Sequence, residues 1–271
     1  MASHFHCVDP DVCARQIVSA ISKVSVSLPS QSVSFPSHLT DIFQWAKEAC
    51  QFLQLDYWTS IQSLSLIQRL IYSDAIPNNQ LHRFATAALL VAIKQSGEVV
   101  DVTTLDFLCS LAGNHFDAVS LKQSEVGLLE LFDWNISTIN SATFVLLFSQ
   151  LLCGKGLCSS TQALHIIDSS LMVCLDHFIG SNNYVNPVMS AFTAVTTMCE
   201  QFHVYNAYTI LSEHVDVDTE HYLIELASVK PVFPEEEQQV RLEKYCRTNT
   251  PPSLAAYLAM RYNDVLDVTS S

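Results

Sequence analysis

The stretch Leu81 to Lys94, LHRFATAALLVAIK, constrains what this chain can fold into more than any other. Every residue from Phe84 to Ile93 is uncharged. A helix of that kind is apolar on all sides and belongs at the centre of a helical domain, with others packed around it. Leu81, Ala85, Ala88 and Ala92 recur at helical spacing, giving a small-residue stripe on which a neighbour can approach closely. The helix then ends on Lys94. A lysine at the rim of a buried helix needs a partner, because burying its charge alone is costly. Further along, Leu121, Glu125, Leu128 and Phe132 make a stripe that is apolar except for Glu125. These two misplaced charges are the natural pair.

The 271 residues suffice for one large domain or two of ordinary size. With 49% hydrophobic and 15% charged residues, the chain reads as a packed globular protein. Its net charge of −14 weighs against direct nucleic-acid binding, which calls for a basic face, and suits a basic partner. Six glycines and no glycine-rich phosphate loop disfavour a dinucleotide fold. No apolar run reaches the eighteen or so residues of a membrane span, so no membrane partner is expected. The start, MASHFHCVDPD, lacks the basic and apolar parts of a secretory signal. Nine irregularly spaced cysteines fit reduced thiols of the cytosol or nucleus.

Asp9-Pro10 can start a short helix running to about Val24. The Ser/Pro-rich residues 25–37 then read as a linker, so residues 1–37 are expected to be a tethered helix that adds little stability, the alternative being that the helix packs on the core or a partner. From 38 the pattern is helical throughout, and the fold class is all-α. Leu39, Ile42, Ala46, Ala49 and Leu53 mark one helix; Leu64, Ile67, Leu70 and Ile71 mark the next. Asn78 can cap the central helix, Thr103-x-x-Asp106 can open a short one that Gly113 closes, and Ser120-x-x-Gln123 reads as a capping box before Glu125. That makes five helices. The second half repeats the plan: Asn140-Ser141 can cap a helix to about Cys153, and Ala163, Ile167, Cys174 and Phe178 mark another. Asn186-Pro187 starts a third, again small and apolar, and stretches near 207–213 and 218–229 complete five. Glu235 to Tyr245 reads as a last helix, with acids at its N-terminal end. The boundaries follow as 1–37, 38–138, 139–250 and a tail 251–271.

A lysine ending a small-residue helix, followed by Glu125-x-x-Leu128-Leu129-x-x-x-x-Trp134-x-Ile136, resembles the cyclin box. Arg241 to Tyr245 resembles the end of a second box, so the likeness spans about 38–250, in tandem five-helix boxes. The resemblance implies a regulatory subunit that binds and activates or targets a cyclin-dependent kinase and has no catalytic site of its own. It also implies kinase-binding roles for Lys94, Glu125, Leu129, Trp134 and Ile136. The substrate-docking patch of cell-cycle cyclins corresponds to His38, Leu39, Ile42 and Trp45. Here the patch arginine is absent, which puts docking of short Arg-x-Leu motifs in doubt. Cyclins usually place an acid after the lysine, whereas Gln95-Ser96 follow here. Val102 to Leu108, ahead of Gly113, are most similar to the crossover-associated cyclin N-terminal domain-containing proteins of meiosis. That likeness implies meiotic recombination proteins as partners and a nuclear, chromosome-associated location, otherwise a cytoplasmic one.

Blander readings stand beside these. Lys94 and Glu125 could simply tie two helices together. Trp45 is expected in the core and Trp134 at an interface, where aromatic anchors are enriched. His4, His6, Cys7 and Cys13 fit no tetrahedral metal pattern, and Cys153 and Cys158 are too far apart for a redox pair, so no metal or cofactor is expected. The alternative function is a cyclin-fold adaptor that binds other proteins without activating a kinase.

Overall fold

The computed structural model describes residues 9–27, 37–73, 75–97, 100–136, 139–180 and 185–215, with side chains for all of these but 25–27, 37–40 and 179–180. Its helices are α1 (Pro10–Ser27), α2 (Ser37–Phe52), α3 (Tyr57–Ser73), α4 (Asn78–Gln95), α5 (Val102–Leu111), α6 (Ala118–Leu131), α7 (Ser141–Gly154), α8 (Ser160–Gly180), α9 (Pro187–Gln201) and α10 (Ala207–Ser212). There is no strand among the described residues. The all-α expectation therefore holds, with five helices from α2 to α6 and the next group opening at α7. The stretches expected near 218–229 and 235–245 lie outside the described residues, as does the tail.

The uncharged run forms α4, and Leu81 with Phe84 to Ile93 is buried, as a helix apolar on all sides requires. α3 and α6 pack along it, and α2 and α5 touch it. Gly127 of α6 lets that helix close on the Phe84 ring, which a Cβ at this position would meet at 3.4 Å. In the second half α9 plays the same part. Pro187 to Thr196 is buried throughout, with α7, α8 and α10 around it. α3 reaches α7 and α8, and α2 reaches α8, so the two groups join in one compact unit.

The first helix follows the alternative expected for it rather than the tether. α1 is not held off on a tether but packs against α7, with Cys13, Ile17, Ala20 and Val24 buried. Those four recur at steps of four, three and four, a complete amphipathic stripe. It also runs to Ser27, into the stretch read as linker.

Helix starts are set by carboxylates and amides. Asn140 accepts from Thr143 N–H, and Asn186 from Val188 and Met189 N–H with Pro187 at the first helical position, both as expected. Three starts differ. Asp101, not Thr103, caps α5: one carboxylate oxygen accepts from Thr104 N–H (2.8 Å) and from both threonine hydroxyls, which hold its pKa down at about 2. Asp117, not Ser120, caps α6 and accepts from Ser120 N–H at 2.8 Å. Both α5 and α6 begin earlier than the motifs implied, because an aspartate upstream supplies a charged acceptor where the dipole favours one. At α4, Pro77 occupies the capping position with no side-chain bond, and Asn78 is already helical. At the far end of α5 Gly113 does close the helix. Its φ is +79°, and the N–H groups of Gly113 and Asn114 return to Ser110 and Cys109 carbonyls.

Between α8 and α9, His177 is buried with its Nδ1 3.1 Å from Ser190 Oγ. Desolvation pushes its pKa down to about 4. The folded pKa thus lies below the unfolded value of about 6.5, so the neutral imidazole favours folding above that value and stability falls as pH drops toward 4. The slope from this one group reaches about 1.4 kcal/mol per pH unit. In urea unfolding at pH 7 and pH 4.5, the chain should lose stability on acidification, and His177→Gln should lose about 1–3 kcal/mol less. An equal loss in both would take His177 out of the acid response.

The seven described cysteines are all buried and unpaired by disulfides. Burial pushes the Cys50, Cys109 and Cys199 thiols up, which suits inert core packing. No described helix is long and apolar enough to cross a membrane.

Candidate functional site: the face of α4 and α6

Lys94 stands in the last turn of α4, where the helix dipole favours a cation. Its Nζ donates to both oxygens of Glu125 on α6, at 2.6 and 2.8 Å. The two misplaced charges of the sequence do meet. This is the one salt bridge among the described residues, and its side chains are 43% and 13% exposed. An ion pair this open to water contributes about 0–1 kcal/mol. What it does well is orient: each charge fixes the other at the molecular surface, with donor capacity left on Nζ.

Beyond α6 the chain turns sharply. Phe132 closes the helix, and Asp133 N–H and Trp134 N–H return to the carbonyls of Glu130 and Leu129. Asp133 and Trp134 both carry positive φ, +49° and +58°, where glycine is the usual occupant. The consequence is that the Trp134 ring is carried out of the core and is 66% exposed. Leu129 and Ile136 are half-buried beside it. Val119 and Val126, one heptad apart on α6, are exposed as well.

Sequence reasoning missed what holds this turn. Arg69 of α3 donates through Nη1 to Asn135 O (2.8 Å) and lays its guanidinium 4.1 Å above the Phe132 ring. Partial burial pulls its pKa down while neighbouring Asp133 opposes that. Two turns earlier on α3, Gln62 donates from Nε2 to Ile136 O (3.2 Å) and Gln95 Oε1 (3.1 Å) and accepts from Asn140 Nδ2. Asn140 is the cap of α7. A chain of side-chain amides, buried at Gln62 and Asn140, thus connects the residue after Lys94, the Ile136 backbone and the start of the second helical group. The available signal was Arg69, the one charged residue of α3, with Gln62 seven positions before it.

The docking-patch residues are less of a unit. Trp45 is half-buried: its indole N–H donates to Leu111 O (3.1 Å), and its ring meets His82 edge to face at 4.4 Å. Ile42 is half-buried on the same helix, and the side chains of His38 and Leu39 lie outside the described residues. Desolvation, with His115 nearby, pulls the His82 pKa down. Of the four metal candidates, Cys13 is buried in the α1 contact and His4, His6 and Cys7 lie outside the described residues. Among the described residues, no three His, Cys, Asp or Glu side chains come together as a metal site would need.

Residues 15–137 match the family model of the cyclin N-terminal domain. A search of curated proteins finds no match. Among solved structures, a viral cyclin from herpesvirus saimiri superposes with a TM-score of 0.61 at 16% identity, over 80% of this chain and 98% of its own. A chain of the CAK complex from Chaetomium thermophilum bound to ATP-γ-S gives 0.46 at 10% identity, over 90% of this chain and 82% of its own. The chain therefore has the fold of that viral cyclin, and residues 15–137 are the part that matches the cyclin N-terminal domain.

Proposed function

We propose that this protein is a cyclin-like regulatory subunit that binds a cyclin-dependent kinase through the face of α4 and α6 and activates or targets it. The observation that carries this reading is the Lys94–Glu125 pair, mutually oriented at the surface and flanked by an exposed Trp134. Lys94 and Glu125 supply charge-assisted hydrogen bonds to the kinase, and Leu129, Trp134 and Ile136 supply apolar contact. The protein has no catalytic role of its own. It holds the kinase's active conformation, a population shift that requires tighter binding to that conformation than to the inactive one. The likeness of Val102 to Leu108 to meiotic cyclins supports a finer reading, in which the complex acts in the nucleus in crossover formation with meiotic recombination proteins.

The adaptor reading draws on Gln95, which stands where cyclins usually carry an acid. Gln95 has an internal role, however: it accepts from Gln62 and helps fix the end of α4. That favours the kinase partner. Affinity purification of the protein from its source cells, with a kinase assay on the eluate, tests the reading. An active cyclin-dependent kinase in the eluate supports it; other partners with no kinase turn the reading to the adaptor.

Substrate docking should differ from that of cell-cycle cyclins. No arginine stands beside Ile42 and Trp45, and Trp45 is already engaged by Leu111 and His82. Calorimetric titration with a short Arg-x-Leu peptide should show no binding at micromolar concentration. A micromolar dissociation constant would return the patch to service.

A further inference from the structure

We propose that Arg69 is a positioning residue of the partner face: it fixes the segment Phe132–Ile136 so that Trp134 stands out from the surface, and Gln62 anchors the same segment from the turns before it. This deepens the kinase-binding reading and rests on it for the identity of the partner. The argument starts from a conflict in the backbone. Asp133 and Trp134 follow one another at positive φ, which the bulky tryptophan disfavours, so the turn needs support from outside itself. Its own hydrogen bonds run back to the carbonyls of Glu130, Leu129 and Phe132 and leave the carbonyls of Asn135 and Ile136 to other donors.

α3 supplies both donors. Arg69 bonds Asn135 O and at the same time covers the Phe132 ring, so one side chain grips the segment on either side of Trp134. Gln62, seven residues before it and therefore on the same side of α3, bonds Ile136 O. Since α3 is packed on α4 and carries a mostly buried surface, these donors sit on a rigid support. Trp134 itself is 66% exposed. Arg69 and Gln62 therefore act through the backbone, on a residue neither of them covers.

The test reads Trp134 directly. The chain has three tryptophans, Trp45, Trp58 and Trp134, so fluorotryptophan labelling gives three fluorine resonances, with that of Trp134 assigned by its loss in Trp134→Phe. In Arg69→Met, which keeps the apolar stem, the Trp134 resonance should shift and broaden while those of Trp45 and Trp58 stay in place. Arg69→Lys, which keeps a charge and one donor, should bring it part of the way back. Affinity for a cyclin-dependent kinase should fall about tenfold in Arg69→Met, as expected for losing one charge-assisted bond that preorganises the contact. An unchanged Trp134 resonance in folded Arg69→Met overturns the proposal, as does a shifted resonance with kinase affinity kept. Should Arg69→Met fail to fold, Arg69→Gln takes its place with the same two outcomes. If the unsubstituted protein binds no such kinase, the functional reading fails and the resonance alone decides the role of Arg69.

Discussion

Lys94→Glu should abolish capture of a cyclin-dependent kinase and leave the helical content of the free protein unchanged. The reasoning turns on where the pair sits. Lys94 is 43% exposed and Glu125 13%, so the bridge contributes about 0–1 kcal/mol to folding. Reversing one charge sets two carboxylates side by side, at a cost of about 1 kcal/mol in so open a place, or roughly 2–4 °C of melting temperature. Binding is another matter. A partner that covers this face desolvates both charges, and truncating one member of such a pair commonly costs about 2–5 kcal/mol. That weakens a complex by about thirtyfold or more. Glu125→Lys should behave in the same way. The double exchange, Lys94→Glu with Glu125→Lys, rebuilds the bridge in reverse and should recover any lost stability without recovering kinase. Circular dichroism, thermal melting and affinity capture together separate the cases. If both single variants unfold, the pair is structural; if both fold and still bind kinase, the partner uses another face.

The two charges could be read in the sequence because each broke an otherwise regular pattern. Lys94 ended an uncharged run and Glu125 interrupted an apolar stripe, and helical periodicity then placed both on packed helices. α4 and α9 were legible for the same reason. Caps were harder. Asp117 and Ser120 are both good capping residues, and a local rule cannot say which register the packing of Leu121 and Leu128 will select. The turn at Asp133–Trp134 gave no warning at all, since residues at positive φ are normally announced by glycine or asparagine. Arg69 was not singled out, because its partners are a carbonyl and a ring contributed by the turn after α6. α1 was misplaced for an instructive reason. The Ser/Pro composition after it suggested a tether, yet linker composition says nothing about whether the segment before it docks. That information lay in the spacing of Cys13, Ile17, Ala20 and Val24.

The docked first helix leads to the largest stability effect expected of a single substitution at the N-terminal end. Ile17 is fully buried where α1 meets α7. Ile17→Ala removes apolar contacts and leaves a void, a change that costs about 2–5 kcal/mol in a well-packed site. For a chain of this length that corresponds to about 5–15 °C of melting temperature. One escape route sets a ceiling. If α1 can lift away from α7 as a unit, the loss cannot exceed the free energy that docks it, and the melting curve would report that smaller figure. Hydrogen exchange distinguishes the two. With α1 docked, the amides from Cys13 to Val24 exchange slowly in the unsubstituted protein, and Ile17→Ala speeds them before it affects those of α4. Val18→Ala, one position along and 53% exposed, serves as the control and should change stability by less than about 0.5 kcal/mol. If Ile17→Ala lowered the melting temperature by no more than Val18→Ala, and the α1 amides exchanged freely throughout, the helix would be a tether after all. The buried stripe at 0–7% exposure argues the other way, because a helix that spent its time in water would have no cause to hide Cys13, Ile17, Ala20 and Val24 together.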